Sequence, residues 1–298
     1  MHLASSPAPV VLITGATSGI GAAAARRLFA AGFTLSITGR RVERLQTLAT
    51  ELDPSGWRVM ALAGDVTSPA DRKRWVERTL GSFGRIDALV NNAGYGVRGA
   101  VEDVPMDDIR RNFETNVFAV LELTRLCLPH LREARRGSAD VAGLPFSGRI
   151  VNISSVAGRI ARPLSGSYDA TKHALEAFTD SLRMELRAEG LPVVSIQPGF
   201  IDTEFSATAR DVSKETIQSM ESGRYAALWA AVQAGERRLR GFAGRPEDVA
   251  RVIERALTVP RPPPRYLVPF HAKLFVALKR LLPERLFMLG MPGARSGR

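Results

Sequence analysis

A tyrosine and a lysine four residues apart, Tyr168 and Lys172 in the run YDATK, form a pair able to handle a proton. On a helix, residues at i and i+4 share a face, so the lysine ammonium stands beside the phenol and favours its ionised form. A free tyrosine, with a pKa of about 10, gives up its proton reluctantly at neutral pH, so a neighbouring cation is needed to make it a usable acid and base. Ser155 stands thirteen residues upstream of Tyr168, next to Ser154. A hydroxyl there can donate to an oxygen on which charge develops. Carbonyl reduction calls for these parts: a proton donor at the oxygen, a hydrogen bond to hold it, and a hydride on one face. A Tyr and Lys at this spacing are common on solvated helices, so the hydride site must be found elsewhere in the chain.

The run VLITGATSGIG supplies a candidate. It reads as a strand, a glycine-rich turn and then an alanine-rich helix, Ala22 to Ala31. Gly15, Gly19 and Gly21, with Thr17, Ser18 and Ile20 between them, let the backbone turn tightly and bring a pyrophosphate to the helix N-terminus. Free N–H groups and the macrodipole favour anions there. The spacing is G-x3-G-x-G, and alone such a loop is also compatible with an ordinary turn. In dinucleotide-binding folds an acid at the end of the second strand accepts from the adenosine ribose 2′-OH and selects NAD. Here that position reads Thr38, Gly39, Arg40, Arg41, with no acid. Gly39 leaves room and Arg40 offers a guanidinium fork to a 2′-phosphate, so the expected cofactor is NADP(H). Arg41 and Arg44 read as solvated helix positions near Glu43.

The elements that must position these groups alternate. Apolar runs of strand length fall at 9–14, 33–38, 57–62, 86–90, 148–153 and 192–197, separated by helical patterns near 19–31, 41–52, 69–82, 107–133 and 167–189. Near-continuous apolar strands with helices between them predict a parallel sheet covered on both faces, an α/β Rossmann-type doubly wound fold. The expected organisation is one catalytic domain over residues 1–260, including a substrate lid near 204–240, and a C-terminal extension over 261–298. The Gly/Ala/Ser-rich segment 135–147 reads as an exposed loop.

Bulk composition narrows the partners. At 298 residues and 45% hydrophobic content the chain can bury a sizeable core. One cysteine, Cys127, excludes an internal disulfide and a Cys-based metal cluster, and no metal is expected. Of the net charge of +11, +7 lies in Arg261–Arg298, where eight basic residues face Glu284 alone. With no nucleic-acid reading element joined to that charge, no nucleic acid is expected as a partner. The run 9–13 is too short for a signal peptide, and no 18-residue apolar stretch exists, so a cytoplasmic protein is expected.

Further motifs fall in order: NNAG (Asn91 to Gly94) after the fourth strand, Asn116 in the next helix, and PGFIDT (Pro198 to Thr203) after the sixth strand. With the glycine turn, the serine pair and YDATK, they make the chain resemble the short-chain dehydrogenase/reductase family over about residues 9–205. The resemblance selects Ser155 over Ser154 as the substrate-oxygen anchor and makes Tyr168 the acid/base. It implies that Lys172 also bonds the nicotinamide ribose, and that Asn116 supports a water-linked proton relay to the lysine. It further implies that Asn92, Ala93 and Gly94 line the cofactor cleft, that Asp65 meets the adenine edge with Val66 beside it, and that Pro198 and Gly199 shape a turn. Ile201 would meet the carboxamide through its backbone, and Thr203 would approach the pyrophosphate.

The segment after Thr203 is helical in pattern, with Ile217, Met220, Tyr225, Leu228 and Trp229 as its apolar positions. In the family it is a mobile lid; a helix packed permanently on the sheet is the other reading. The stretches 95–105 and TKHALEAF look most like the branch containing hydroxysteroid and retinol dehydrogenases and related bacterial oxidoreductases, so an apolar steroid-, retinoid- or lipid-like carbonyl or alcohol is the expected substrate. A non-catalytic NADP(H) sensor, or a dehydratase or epimerase on the same fold, are the competing readings. A homodimer or homotetramer is expected. In the tail, Phe270, Leu274, Phe275, Leu278, Leu281 and Leu282 share a helical face edged by Lys273, Lys279, Arg280 and Arg285. Such a face packs on its own domain, on a partner subunit, or on an anionic membrane.

Overall fold

The computed structural model describes residues 8–136 and 148–291. Most of the segment read as a loop at 135–147 therefore lies outside the described residues. Seven strands form one parallel sheet: β1 (Val10–Ile13), β2 (Thr34–Gly39), β3 (Val59–Ala63), β4 (Ala88–Asn91), β5 (Arg149–Ile153), β6 (Val193–Pro198) and β7 (Arg265–Val268), in the order β3-β2-β1-β4-β5-β6-β7. The chain runs outward through β1, β2 and β3, then returns to lay β4 against β1. The crevice beyond the carboxyl ends at this reversal is where ligands of such sheets bind.

β1 is apolar throughout because it is covered on both sides. Val11 and Ile13 face a core shared with α1 (Gly19–Ala30), α2 (Val42–Leu52) and α10 (Pro246–Thr258). Leu12 faces the opposite core, with Trp75 of α3 (Pro69–Phe83) and Leu123, Cys127 and Leu131 of α5 (Ala119–Arg136). The run Ala22–Ala25 is buried; its single methyl groups let α1 lie close to the sheet. Helix α3 has strong local signals: Pro69 in its first turn, Ser68 accepting from the Asp71 N–H at 3.2 Å, and a left-handed Gly84 at its end.

The doubly wound α/β prediction is the observed fold, and all six expected strands are present. Three features differ from the expectation. The pattern read as one helix over 107–133 is divided into α4 (Met106–Phe113), a π-helical turn over Glu114–Phe118, and α5; the turn faces Asn116 and Val117 inward. Helix α10 was not anticipated. The segment read as an extension from 261 opens with β7, whose pairing to β6 completes the main sheet. Only then come α11 (Phe270–Leu281) and α12 (Glu284–Leu289).

Beyond β6 lie α7 (Phe205–Val212), α8 (Lys214–Ser222) and α9 (Ala226–Arg240). Ile217, Met220, Trp229 and Val232 form a small apolar cluster with Ala100 and Leu164, apart from the two main cores. Among the described residues, no helix is long and apolar enough to cross a membrane, and no group of ligating side chains could hold a metal ion.

Candidate active site

Helix α6 (Gly166–Glu185) starts beyond β5 and carries both Tyr168 and Lys172 on its buried side, at 7% and 5% exposure. Lys172 donates to the carbonyl of Ile153, the last residue of β5, at 3.0 Å, and its Nζ lies 5.8 Å from the centre of the Tyr168 ring. The expectation that one helical face presents both groups is met. Ser155 is 9% exposed; its Oγ donates to the Pro198 carbonyl at 3.3 Å and accepts from the Ala157 N–H at 3.1 Å. Its neighbour Ser154 is also buried, with no hydrogen-bond partner for its Oγ.

Burial dominates the proton affinities. It pushes Tyr168 up to about 12, against lowering contributions from Arg162, from a hydrogen bond with Ser155 and from Arg98. Burial pulls Lys172 down to about 8, with Glu176 opposing. Tyr168 is thus moved opposite to the lowering expected from Lys172, and the cations that chiefly oppose burial are Arg162 and Arg98, which the sequence reading missed. Arg162 holds the carboxylate of Asp169 with both its backbone N–H (2.7 Å) and its guanidinium (2.6 Å), and stands 6.0 Å from the Tyr168 ring. Arg98 bonds Ser165 at 2.5 Å and Glu236 of α9 at 2.6 Å. The Arg162 and Asp169 pair, seven residues apart, was visible in the sequence; the Arg98 and Glu236 pair spans 138 residues and was not.

Asn116 does not line the cleft. It is fully buried behind it, where its Oδ1 accepts from the Tyr95 N–H (3.1 Å) while its Nδ2 donates to the Tyr95 carbonyl (2.9 Å) and to Thr171 Oγ1 (3.0 Å). Thr171 in turn donates to the Tyr168 carbonyl at 2.7 Å. Asn116 therefore ties the strand-four loop to the first turn of the tyrosine helix. Gly94 permits this: a Cβ there would come within 2.9 Å of Asn116 Oδ1.

The glycine turn forms the other end of the cleft. Gly15 has a left-handed φ of 68°, and a Cβ would meet Ala93 Cα at 2.8 Å; a Cβ on Gly21 would lie 2.2 Å from the Gly15 carbonyl oxygen. Gly21 thus packs beneath the loop instead of lining the cleft. Asn92 lines the cleft, but its amide is committed to the carbonyls of Thr14 (2.9 Å) and Gly15 (3.0 Å), holding the turn in shape. Among the described residues, no side chain caps the N-terminus of α1.

Gly15, Thr17, Ser18, Gly19 and Ile20 border a cleft of about 760 Å³. Along it follow Arg40, then Asp65 and Val66, then Asn92, Ala93 and Gly94; its floor holds Ser155, Tyr168 and Lys172, and its far wall Pro198, Gly199, Ile201 and Thr203. Every residue expected in the site, Gly21 and Asn116 excepted, therefore meets in one space at the carboxyl ends of the strands.

The two arginines after β2 separate sharply. Arg40 is 73% exposed, its guanidinium 4.0 Å from the Asp65 carboxylate. Arg41 turns back onto the glycine turn, where it donates to Thr17 Oγ1 (2.9 Å) and Ser18 Oγ (2.6 Å), and reaches Glu204 at 2.7 Å. Arg44 bonds the same carboxylate at 2.7 Å. Together they hold the Glu204 carboxyl down to about 2. Arg41 and Arg44 are exposed, as read, but the carboxylate that gathers both is Glu204 at the start of α7, 163 and 160 residues away, and not the neighbouring Glu43.

The short chain dehydrogenase family model matches residues 9–214. The chain belongs to this family of oxidoreductases. It is 33% identical to Dehydrogenase/reductase SDR family member 7B of Bos taurus over 97% of this chain and 82% of that protein. Among solved structures, a short chain dehydrogenase/reductase from Burkholderia phymatum in complex with NAD superposes with a TM-score of 0.77, at 25% identity, over 97% of this chain and 98% of that one. A variant actinorhodin polyketide ketoreductase with NADPH gives 0.72 at 28% identity, over 89% of this chain and 97% of that one. Family members of this fold thus hold either form of the nicotinamide dinucleotide, and the cleft described above has the shape and the open helix N-terminus to take one.

Proposed function

We propose that this short-chain dehydrogenase interconverts a secondary alcohol and a carbonyl on an apolar, steroid-, retinoid- or lipid-like substrate with NADP(H) as cofactor. The carrying observation is the convergence of Ser155, Tyr168 and Lys172, all buried, on the floor of a cleft whose other end is the glycine turn. A dinucleotide held in this cleft would supply hydride to one face of the carbonyl. Ser155 donates to the substrate oxygen and fixes it, and Tyr168 delivers the proton from its phenol. Lys172, anchored on the Ile153 carbonyl and 5.8 Å from the Tyr168 ring, would bond the nicotinamide ribose and place positive charge beside the phenol. Asn116 holds the first turn of α6 in place through Thr171, which keeps Tyr168 and Lys172 positioned.

The preference for NADP(H) is supported by charge at the end of β2. Arg40, Arg41 and the hydroxyls of Thr17 and Ser18 provide donors for a 2′-phosphate, and no carboxylate follows Gly39 to accept from a 2′-OH. The apolar substrate is supported by Val97, Ile160, Phe205, Val232 and Phe275 along the cleft, with the Phe205 ring 5.4 Å from that of Tyr168. A panel of apolar ketones and alcohols followed by NADPH absorbance tests the reading. Turnover with at least one is expected, and its loss in Tyr168→Phe, with NADPH still binding, would establish the acid. A silent panel would favour the sensor, and a product formed without net NADPH change would favour a dehydratase or epimerase.

A further inference from the structure

Helices α11 and α12 expose an apolar surface that the other described residues leave uncovered. Phe270 and Leu281 are 76% and 79% exposed, and Leu274, Leu286 and Met288 are each more than half exposed. In α11 only Ala272 is buried. Packing on the protein's own domain, one of the occupants considered for this face, is therefore not what these side chains do. Monomeric proteins rarely leave a continuous apolar patch of this kind to water unless it meets a partner.

The charge around the patch selects among partners. Lys273, Lys279, Arg280 and Arg285 stand on these two helices against a single acid, Glu284. A second copy meeting this one through the same face would bring two such sets of cations together with little to neutralise them. An anionic lipid surface would neutralise the cations while its acyl region received the leucines and phenylalanines, the mode by which basic amphipathic helices bind in the plane of a membrane. The patch also adjoins the cleft. Phe275 of α11 and Met291, just past α12, line the same space as Tyr168. We infer that α11 and α12 dock this protein peripherally on an anionic bilayer, with the mouth of the catalytic cleft turned toward the lipid. The docking rests on the surface itself; its use as a route for substrate rests on the apolar-substrate reading above.

Co-sedimentation of the full chain with phosphatidylcholine–phosphatidylserine vesicles, and with phosphatidylcholine vesicles alone, tests the docking. The protein is expected to pellet with the anionic vesicles, with binding falling at higher salt. The triple variant Phe270→Ser, Leu281→Ser, Leu286→Ser and the separate variant Lys273→Glu, Arg280→Glu, Arg285→Glu should each lose about tenfold or more of that binding. None of these residues lines the cleft, so NADPH-linked turnover of a water-soluble carbonyl should be unchanged in both variants and reports that they fold. Failure to pellet with anionic vesicles at low salt overturns the inference, as does binding that neither variant weakens. So does an apolar variant that converts a dimer to a monomer in sedimentation velocity while vesicle binding stays the same. Because binding is measured without substrate or cofactor, a silent carbonyl panel would defeat the proposed reaction and leave this result standing.

Discussion

The two ends of the cleft are built on opposite principles. Around Tyr168 the polar groups are buried, with Asn116 and Lys172 bonded to backbone and hydroxyl groups and Arg162 and Arg98 paired with Asp169 and Glu236, and burial dominates the proton affinities: Tyr168 is pushed up to about 12 and Lys172 drawn down to about 8. Around Arg41 the groups are half exposed and joined by ion pairs, with the Glu204 carboxyl simply held ionised. Dryness at the first end converts small changes of charge into large changes of proton affinity, which a proton-transferring site requires. Water at the second end keeps each ion pair weak, so the arginines can exchange one anion for another at small cost. On the proposed function, chemistry would sit where the environment is dry, and recognition of a 2′-phosphate where partners can be swapped.

If that contrast holds, damage at the buried end should cost far more than damage at the exposed end. Tyr168→Phe should give the largest loss, about 10²- to 10⁴-fold in turnover or more, with NADPH binding retained in a fluorescence titration. Lys172→Met should follow, with turnover lowered by about a hundredfold and, unusually for a buried substitution, no loss of stability at neutral pH. Burial holds the folded lysine at about 8 against an ordinary 10.5, so between those values the unfolded chain keeps a proton that the folded chain has released. Folding stability therefore rises with pH across that window, and the burial penalty is present in full below it. The melting temperature of Lys172→Met should accordingly exceed that of the parent at pH 7, with the gap narrowing toward pH 10.5. A gap independent of pH would show that Lys172 is not the group responsible.

At the exposed end, Arg40→Asp should reduce the preference for NADPH over NADH by about tenfold or more, the value of a charged hydrogen-bonding partner replaced by a repelling one. An unchanged ratio in kcat/KM for the two cofactors would leave Arg41 as the phosphate ligand and Arg40 as a solvated charge. Glu204→Gln should give the smallest change, a few-fold tightening of 2′,5′-ADP with 5′-ADP unaffected, since it removes an anion that competes for Arg41 and Arg44 through exposed ion pairs. Equal tightening of both nucleotides would show that Glu204 does not compete with the 2′-phosphate.

What the sequence revealed and what it hid follow from the range of the interactions. The turn with Gly15, Gly19 and Gly21 and the pair Tyr168 and Lys172 were legible because their geometry is local: close approach of backbone in one case, one helical turn in the other. Strand β7 escaped notice because it is four residues long, only partly buried, and directly follows the prolines of RPPPR, which read as a break. The grouping of Arg41 and Arg44 on Glu204 needed a fold to bring positions 160 residues apart together, and local charge alone suggested Glu43. For Asn116, the residue was found but its surroundings were not, because a π-helical turn is a property of backbone count that side-chain periodicity does not display.

That turn has a consequence for how the chain can vary. Glu114–Phe118 takes up one residue more than a regular helix would need, so the number of residues between α4 and α5 works as a ruler. Deletion of any one of the five, whichever side chain it carried, would let the two helices run on as one and rotate one against the other by about 100°. Asn112, bonded to the Tyr95 carbonyl on one side, and Leu123 and Cys127, buried under the sheet on the other, could not both keep their places. Outside the buried Asn116 and Val117, the segment should therefore accept exchanges of residue type far more readily than a change in length.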